Sequence, residues 1–307
     1  MGMPDLANPI TYAIPGFVIL LLAELLLNQR GKGYELKDTA ISLLMGTGSR
    51  VAGILTIAPI LALAYWAHGF ALFDIGYIWW AWIICFVLDD LAYYVFHRCA
   101  HRVRWFWASH VNHHSSEHYN LSTALRQTWT GFIALGFIFR LPVILIGFPV
   151  EMILFCGAIN LIYQFWFHTE AIDKMPRWFE WLLNTPSHHR VHHATNARYL
   201  DANYAGVFML WDRMFGSFVA EDDTDKIEYG LVNNLGSFNL LRVAFHEWMA
   251  IAGDVWRAPW RHKLSYMWRE PGWSHDGSRE TTAMIKARVS AQKPVQEFST
   301  EKSAGTR

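Results

Sequence analysis

Cysteine is scarce. The chain has three, Cys85, Cys99 and Cys156, scattered and without C-x-x-C spacing. That excludes a disulfide scaffold and a cysteine-based zinc site, and the three read as small buried hydrophobes. A basic surplus is also missing, because 26 Lys and Arg balance 26 Asp and Glu. Phosphate binding needs excess positive charge, so nucleic acid is not an expected partner. Charged residues make up 17% of the chain against 53% hydrophobic, a sparse supply for a soluble protein. No glycine-rich dinucleotide or flavin fingerprint occurs, no cysteine cluster suits an iron–sulfur centre, and no strand pattern or internal repeat is evident. The first apolar run has no basic stretch before it and no small-residue cleavage site after it, so it is expected to be a retained membrane helix rather than a signal peptide.

Long apolar runs and tryptophan are abundant. Crossing a bilayer as a helix takes roughly 20 apolar residues. Candidates are Ile10–Leu27, Ile41–Ala67, Ile75–Phe96, Thr130–Phe148 and Val150–Phe167. The last two are joined by Gly147-Phe148-Pro149 and read as a helical hairpin that need not cross fully. Pro142 is expected to kink the fourth run, and Arg140 is a costly charge inside it. The predicted fold is an all-α integral membrane protein of about four to five transmembrane or hairpin helices, with a helical cap. One domain is expected over residues 1–290, and a polar, disordered tail over 291–307. Met175–Leu183 and Trp248–Trp273 are Trp-rich and expected along the membrane surface.

Orientation follows from the loops. Arg30, Lys32 and Lys37 follow the first run, and Arg98, Arg102, Arg104 and Arg126 follow the third. The connection near His68–Phe73 has no Lys or Arg. The positive-inside rule places the first loop and everything after the third run on the cytoplasmic side. In a bacterial chain that means the inner membrane, with the site facing the cytoplasm.

All the histidine clusters then share one face. The chain has 15 histidines, and three groups stand out: His97-x-x-x-His101, His110-x-x-His113-His114, and His189-x-x-His192-His193 preceded by His188. Residues three and four apart are neighbours on a helix, so each group converges several imidazoles without loop ordering. Asn160, Gln164 and His168 recur every fourth residue as a polar stripe, expected to face the bundle interior. Thr185 and Pro186 supply an N-cap and a first helical residue for the third group. His188 points off that face, as a tenth ligand or a residue supporting the ligands. Asp90, two turns before His97, either accepts an imidazole N–H or pairs with an arginine. His110, His113, His114, Glu117 and His118 are expected along one helix. The isolated His68, His246, His262 and His275 read as ordinary surface or core groups.

His97, His101, His110, His113, His114, His168, His189, His192 and His193 are nine expected ligands. One first-row metal takes about four to six, so nine or ten imply two metals. A structural zinc site favours four ligands and usually cysteine. Imidazole suits iron, zinc, copper and nickel alike, so spacing leaves the metal open. A transporter would place ligands near the midplane on broken helices, whereas these sit at helix ends.

The order of these motifs around a membrane hairpin resembles the fatty acid hydroxylase / sterol desaturase superfamily. The stretch from His113-His114-Ser-Ser-Glu-His to Arg126-Gln127 is similar to its alkylglycerol monooxygenase-like branch, which includes bacterial proteins. So are Trp166-Phe-His168-Thr-Glu170, Asn184-Thr-Pro-Ser-His188 to His193, Asn203-Tyr204-Ala-Gly206, Trp211-Asp212-Arg213-Met-Phe-Gly216 and Pro271-Gly272-Trp273. The resemblance covers roughly Asp89 to Trp273. It implies two irons per chain held by the nine histidines, and O2-dependent hydroxylation of a membrane lipid, with ether cleavage through a hydroxylated carbon. Desaturation on the same scaffold is the alternative, and a metal-binding or transport protein without oxygenase activity is the alternative of another class. Electrons are expected from outside the chain, from a redox protein or a diffusible reductant such as the tetrahydrobiopterin of the branch's animal enzyme. Glu117, Asn120, Asn203 and Tyr204, with Arg126 and Gln127, lie close to the ligands and are candidates for touching substrate or holding a ligand.

Overall fold

The structure, a computed structural model, describes residues 9–27 and 33–292. Among the described residues it is helical, with two isolated backbone bridges, Leu183–Phe208 and Ala194–Tyr229, in place of any sheet. Three helices are long and apolar enough to cross a membrane: α1 (Pro9–Leu27), α2 (Leu36–His68) and α3 (Trp79–Arg102). With 33 residues, α2 runs about 50 Å at ~1.5 Å per residue, well beyond the ~30 Å hydrocarbon layer. Its first turn carries buried Asp38, which pairs with Arg126 and accepts from the Ser116 hydroxyl in the segment after α4. Outward apolar side chains such as Ile54 and Leu55, 71% and 75% exposed, form the lipid-facing surface. Trp66, Phe70, Phe73 and Trp79 are exposed around the α2–α3 connection, the aromatic belt of the far interface.

The elbow after α3 brings the site together. Val103 is extended (φ −127°, ψ 119°) and separates α3 from α4 (Arg104–His114) without glycine or proline. Buried Arg104 fixes the elbow by donating to Glu247 (2.6 Å) and Asp254 (2.7 Å). Because α4 ends at His114, Glu117 and His118 lie in the following turn rather than on a shared helix face.

The fourth apolar run is not one helix. Residues 131–135 form turns, Gly136–Arg140 is a 3-10 segment, and only α5 (Leu141–Ile146) is α-helical. Pro142 sits in the first turn of α5, where its missing N–H costs nothing, and so begins a helix instead of kinking one. Arg140 is compensated by Asp89 of α3 at 2.6 Å. At the hairpin tip Gly147 adopts φ +117°, and a Cβ there would lie 1.8 Å from the Phe73 carbonyl oxygen. The tip hydrogen-bonds the α2–α3 connection, with Leu72 donating to Leu145 and Ile75 to Gly147. From it α6 (Val150–Phe165) returns beside α3 towards the histidine end. Small residues (Ala64, Ala67, Ala81, Cys85 and Cys156) line the α2–α3–α6 contact, which lets backbones approach where lipid supplies no hydrophobic drive.

The cap comprises α7 (Arg177–Leu182), α8 (Pro186–His193), α9 (Leu210–Met214), α10 (Leu240–Arg257), α11 (Ser265–Trp268) and α12 (Thr282–Gln292). No residue of α7 is buried, and Trp178 and Trp181 point outward as an interfacial segment requires. The tail expected from residue 291 begins inside α12, and residues 293–307 lie outside those described, as do Arg30 and Lys32.

Candidate metal centre

Four elements supply the histidines. The end of α3 carries His97 and His101, and α4 carries His110, His113 and His114. His168 follows α6, and α8 carries His189, His192 and His193. Thr185 is the N-cap residue of α8 and Pro186 its first helical residue, although the Thr185 hydroxyl turns to Glu180 and Ser187. The nine side chains converge as two groups. His97, His101, His110, His114 and His192 form one, and His113, His168, His189 and His193 the other, with candidate ligand atoms inside each group within 4.8 Å of one another. Every i,i+4 pair stays together (97/101, 110/114, 189/193). The intervening His113 and His192, rotated by about 60° and 100° from the two members of the pair on their helices, cross to the other group. The groups adjoin, with His114 and His193 stacked at 4.3 Å.

Backbone carbonyls settle three tautomers. Nδ1–H of His97 donates to the Tyr204 oxygen (2.8 Å), that of His168 to Gln164 (2.8 Å) and that of His192 to Ala202 (3.0 Å). A carbonyl can only accept, so each Nδ1 holds the proton and each Nε2 presents a lone pair. Those Nε2 atoms crowd their neighbours. His97 is 2.9 Å from His110, His192 is 3.1 Å from His114, and His168 is 2.9 Å from His189 and 3.3 Å from His113. One ring proton serves only one such contact, and the buried His101 Nε2 has no partner. Imidazoles sharing one ion through bonds of about 2.1 Å stand roughly 3.0 Å apart at right angles and ~3.4 Å apart in a tetrahedron. The residues therefore fit one metal ion at each group.

Burial, reinforced by neighbouring imidazoles, holds His110, His113, His114, His189, His192 and His193 well below the usual histidine range. Burial also brings His168 to about 4. All are neutral at neutral pH, the form that binds a metal. Unfolded imidazoles take up protons below about pH 6.5 that these buried ones refuse. Metal-free protein is thus expected to keep a flat stability above that pH and lose stability as pH falls below it. Thermal unfolding of metal-stripped protein in detergent at stepped pH checks the sign, and a rise in stability on acidification would contradict it.

Buried polar side chains hold the frame. Among the described residues Asp90 bonds neither His97 nor an arginine, which corrects both expectations for it. Its carboxylate accepts from the Val207 and Phe208 backbone N–H, Trp211 Nε1 and Asn160 Nδ2 at 2.7–3.0 Å. Gln164 donates to Asn160 (2.6 Å), so the polar stripe is a continuous chain from Asp90 to His168, buried as expected. Gly206 is packed so closely that a Cβ would meet Asp90 Oδ1 and Asn160 Oδ1 at 2.7 Å. Asp212 accepts from the Tyr204 and Ala205 N–H and thereby aims the Tyr204 carbonyl at His97. Arg190 ties α8 to Glu221 (2.7 Å) and to the carbonyls of Thr169, Ile172 and Asp173 after His168. Buried Glu24 of α1 accepts from the Leu121 N–H (2.8 Å) and from the hydroxyls of Tyr34 and Thr169. Asp201 lies 3.7 Å from His101 Nδ1. Sequence reading missed Asp201, Glu24 and Arg190 as supports because each acts on a partner distant in sequence, and Asp212 because its bonds to the Tyr204 and Ala205 N–H, eight and seven residues back, follow no helical spacing.

Several candidate residues fall elsewhere. His188 joins neither group, because its ring faces the Thr185 hydroxyl (3.3 Å) and Phe218. Glu117 is exposed. Asn120 donates to the Gly33 carbonyl and accepts from the Ser122 N–H and hydroxyl. Asn203, at φ +56°, donates to the His188 and Val219 carbonyls and accepts from the Val219 N–H. Both asparagines thus shape loops beside the site. Tyr204 reaches His97 through its backbone oxygen, while Arg102 donates to its hydroxyl at 3.3 Å. Gln127 donates to the Ala124 carbonyl. A cavity of about 280 Å³ opens onto His101, His114, His192 and His193, walled by Trp107, Leu200 and Ile285 among others, with Asp201, Asn233 and Glu247 as polar groups.

Residues 82–217 match the fatty acid hydroxylase family. The chain is 38% identical to human alkylglycerol monooxygenase over 279 residues, 88% of this chain and 61% of that protein. The Danio rerio alkylglycerol monooxygenase is 38% identical over 86% of the chain and 60% of its own length. An ornithine lipid hydroxylase of Rhizobium tropici is 24% identical over 70% of the chain and 67% of its own length. The chain spans about three fifths of the length of the curated alkylglycerol monooxygenases from vertebrates that it matches. No solved structure matches it. The histidine geometry and these similarities agree: residues 82–217 match the fatty acid hydroxylase family, and most of the chain is similar to alkylglycerol monooxygenases.

Proposed function

We propose that this chain is a membrane di-iron monooxygenase that hydroxylates a lipid at the carbon bearing an ether oxygen. The observation that carries this reading is the pair of buried imidazole groups, each with spacings suited to one ion, in a chain similar to alkylglycerol monooxygenases. The nine grouped histidines are the proposed ligands, and iron, bound there, supplies O2 activation and oxidation of an unactivated C–H. One oxygen atom enters the C–H bond. The other leaves as water, using two electrons and two protons from an external donor, either a redox protein or a diffusible reductant such as tetrahydrobiopterin. The resulting hemiacetal breaks its C–O bond to give an aldehyde and an alcohol.

The protein's own work is positioning and exclusion of water. Carbonyls of Tyr204, Gln164 and Ala202 orient three ligands, and buried Asp90, Asp212 and Arg190 hold the segments that bear them. The cavity over His101 and His192 takes the reacting end of the lipid. Its apolar walls receive chain, and the acceptors Asp201 and Glu247 receive hydroxyl donors of the head. An apolar groove between α3 and α6, lined by Trp82, Phe86, Phe155 and Phe208, faces the bilayer and suits the remaining chain. Tyr204, Asn120 and Asn203 act as positioning residues. The histidine side is assigned to the cytoplasm, because Lys37, Arg98, Arg102, Arg104 and Arg126 lie at that end while the α2–α3 connection carries no Lys or Arg.

Full-length protein in lipid nanodiscs tests the reading. Iron is expected at both groups, and an alkylglycerol with O2 and tetrahydrobiopterin is expected to release fatty aldehyde. Bound zinc without iron, or release independent of O2, would overturn it, and an alkene product would turn it to the desaturase alternative.

A further inference from the structure

The outward face of the C-terminal cap is apolar where a water-facing helix should be polar. On α10, Val243, Ala244 and Ile251 are buried against the protein, yet Leu241, Met249 and Trp256 on other sides are 61%, 57% and 85% exposed. The next residues continue the pattern, with Trp260 85%, Leu264 70% and Trp268 51% exposed. Cations alternate with these side chains. Residues 256–269 contain Arg257, Arg261, Lys263 and Arg269 and no Asp or Glu. Among the described residues none of the four pairs with a carboxylate: Arg261 donates to His262, and Arg269 lies over Trp273. The patch is continuous with the lipid-facing surface. Trp268 stacks on Trp105 at 6.1 Å, and Trp105 donates to the carbonyl of Ile133, itself 51% exposed at the start of the membrane hairpin. Trp268 also meets Phe106, which meets Phe139, which meets Phe96 of α3.

We propose that residues 241–269 are seated in the bilayer interface on the histidine side, in a leaflet rich in anionic lipid. Trp256, Trp260, Leu264 and Trp268 occupy the boundary between headgroups and chains, where amphipathic rings settle, and the four cations meet lipid phosphates. The inner side of the same unit supplies Glu247 and, just beyond it, Pro271 and Gly272 to the cavity wall, and Arg104 braces it against α4. Seating it at the interface sets the cavity mouth at headgroup depth. This inference does not depend on the chemistry proposed for the site.

Spin labels on Trp260→Cys and, separately, Trp256→Cys in the full-length protein measure depth in nanodiscs of phosphatidylcholine with and without phosphatidylglycerol. A label at Asp223→Cys, whose side chain is 80% exposed, reports the water-facing control. The expected result is relaxation by O2 several-fold stronger than by a water-soluble nickel chelate at 256 and 260, and the reverse at 223. Phosphatidylglycerol is expected to deepen both labels, and Arg257→Gln/Arg261→Gln/Lys263→Gln to abolish that deepening. Labels at 256 and 260 as accessible to the chelate as that at 223 would overturn the proposal and leave the patch to a protein partner. Depth indifferent to phosphatidylglycerol would overturn the anionic-lipid assignment.

Discussion

His192→Ala is expected to empty the five-histidine group and abolish lipid oxidation. Loss of a residue that only orients a ligand costs about 10–100-fold in metal affinity or activity, and loss of the ligand itself is expected to exceed that. His192 makes two contacts that define its role. Its Nδ1–H is held by the Ala202 carbonyl at 3.0 Å, and its Nε2 stands 3.1 Å from that of His114. Alanine removes the inward lone pair and leaves the carbonyl without its donor. His113→Ala is expected to empty the four-histidine group, because His113 faces His168 at 3.3 Å there. Metal analysis of both variants should show each losing its own ion before any loss of the other. His188→Ala is the control: its ring lies among Thr185 and Phe218, outside both groups, so metal content should remain at the parent level. Equal metal loss in all three variants would overturn the partition.

Arg126→Ala is expected to be the most destabilising change outside the histidines. Arg126 is 2% exposed and pairs with Asp38, 4% exposed, at 2.9 Å. It also donates to the Asn112 carbonyl (3.0 Å) and the Ser115 hydroxyl (3.1 Å), so it clamps the end of the helix that carries His113 and His114 to the first turns of α2. Alanine leaves a buried carboxylate without its counter-charge, which costs about 3–5 kcal/mol. Lysine restores the charge without the fork that serves three acceptors at once and is expected to recover little. Asp38→Asn in the Arg126→Ala background removes the stranded charge and should recover part of the loss. Thermal unfolding in detergent, followed together with retained metal, checks the series. A melting temperature within error of the parent for Arg126→Ala would show that the pair contributes nothing.

Much of the protein was legible from local pattern. The three helices long enough to span follow from apolar runs of bilayer length, because a helix in lipid satisfies its own backbone. The histidine motifs follow from helical periodicity, since side chains three and four apart share a face whatever the surroundings. The Asn160–Gln164–His168 stripe was legible for the same reason. Hydropathy reported the fourth run as apolar but said nothing of its backbone. Thr130–Phe148 breaks into turns because it packs as a short arm: Gly136 sits against Phe96, and Arg140 reaches Asp89. The break at Val103 carries no glycine or proline. It is held by Arg104 reaching Glu247 and Asp254, well over a hundred residues away in sequence.

The number of grouped imidazoles, and so the expectation of two metals, was set by the sequence itself, because each motif is local. The partition of those imidazoles was decided only by tertiary structure. His113 leaves its motif neighbours for His168 and His189, and His192 leaves its own for His97 and His101, because four separate elements meet at angles that no spacing encodes. The same holds for Asp90. Its place two turns before His97 suggested a direct bond to that ring, but the incoming backbone of Val207 and Phe208 claims the carboxylate first, and His97 is left to the Tyr204 carbonyl. Local periodicity determines which side chains a helix presents together. The partners they meet depend on long-range packing, in which buried donors and acceptors must all be satisfied at once.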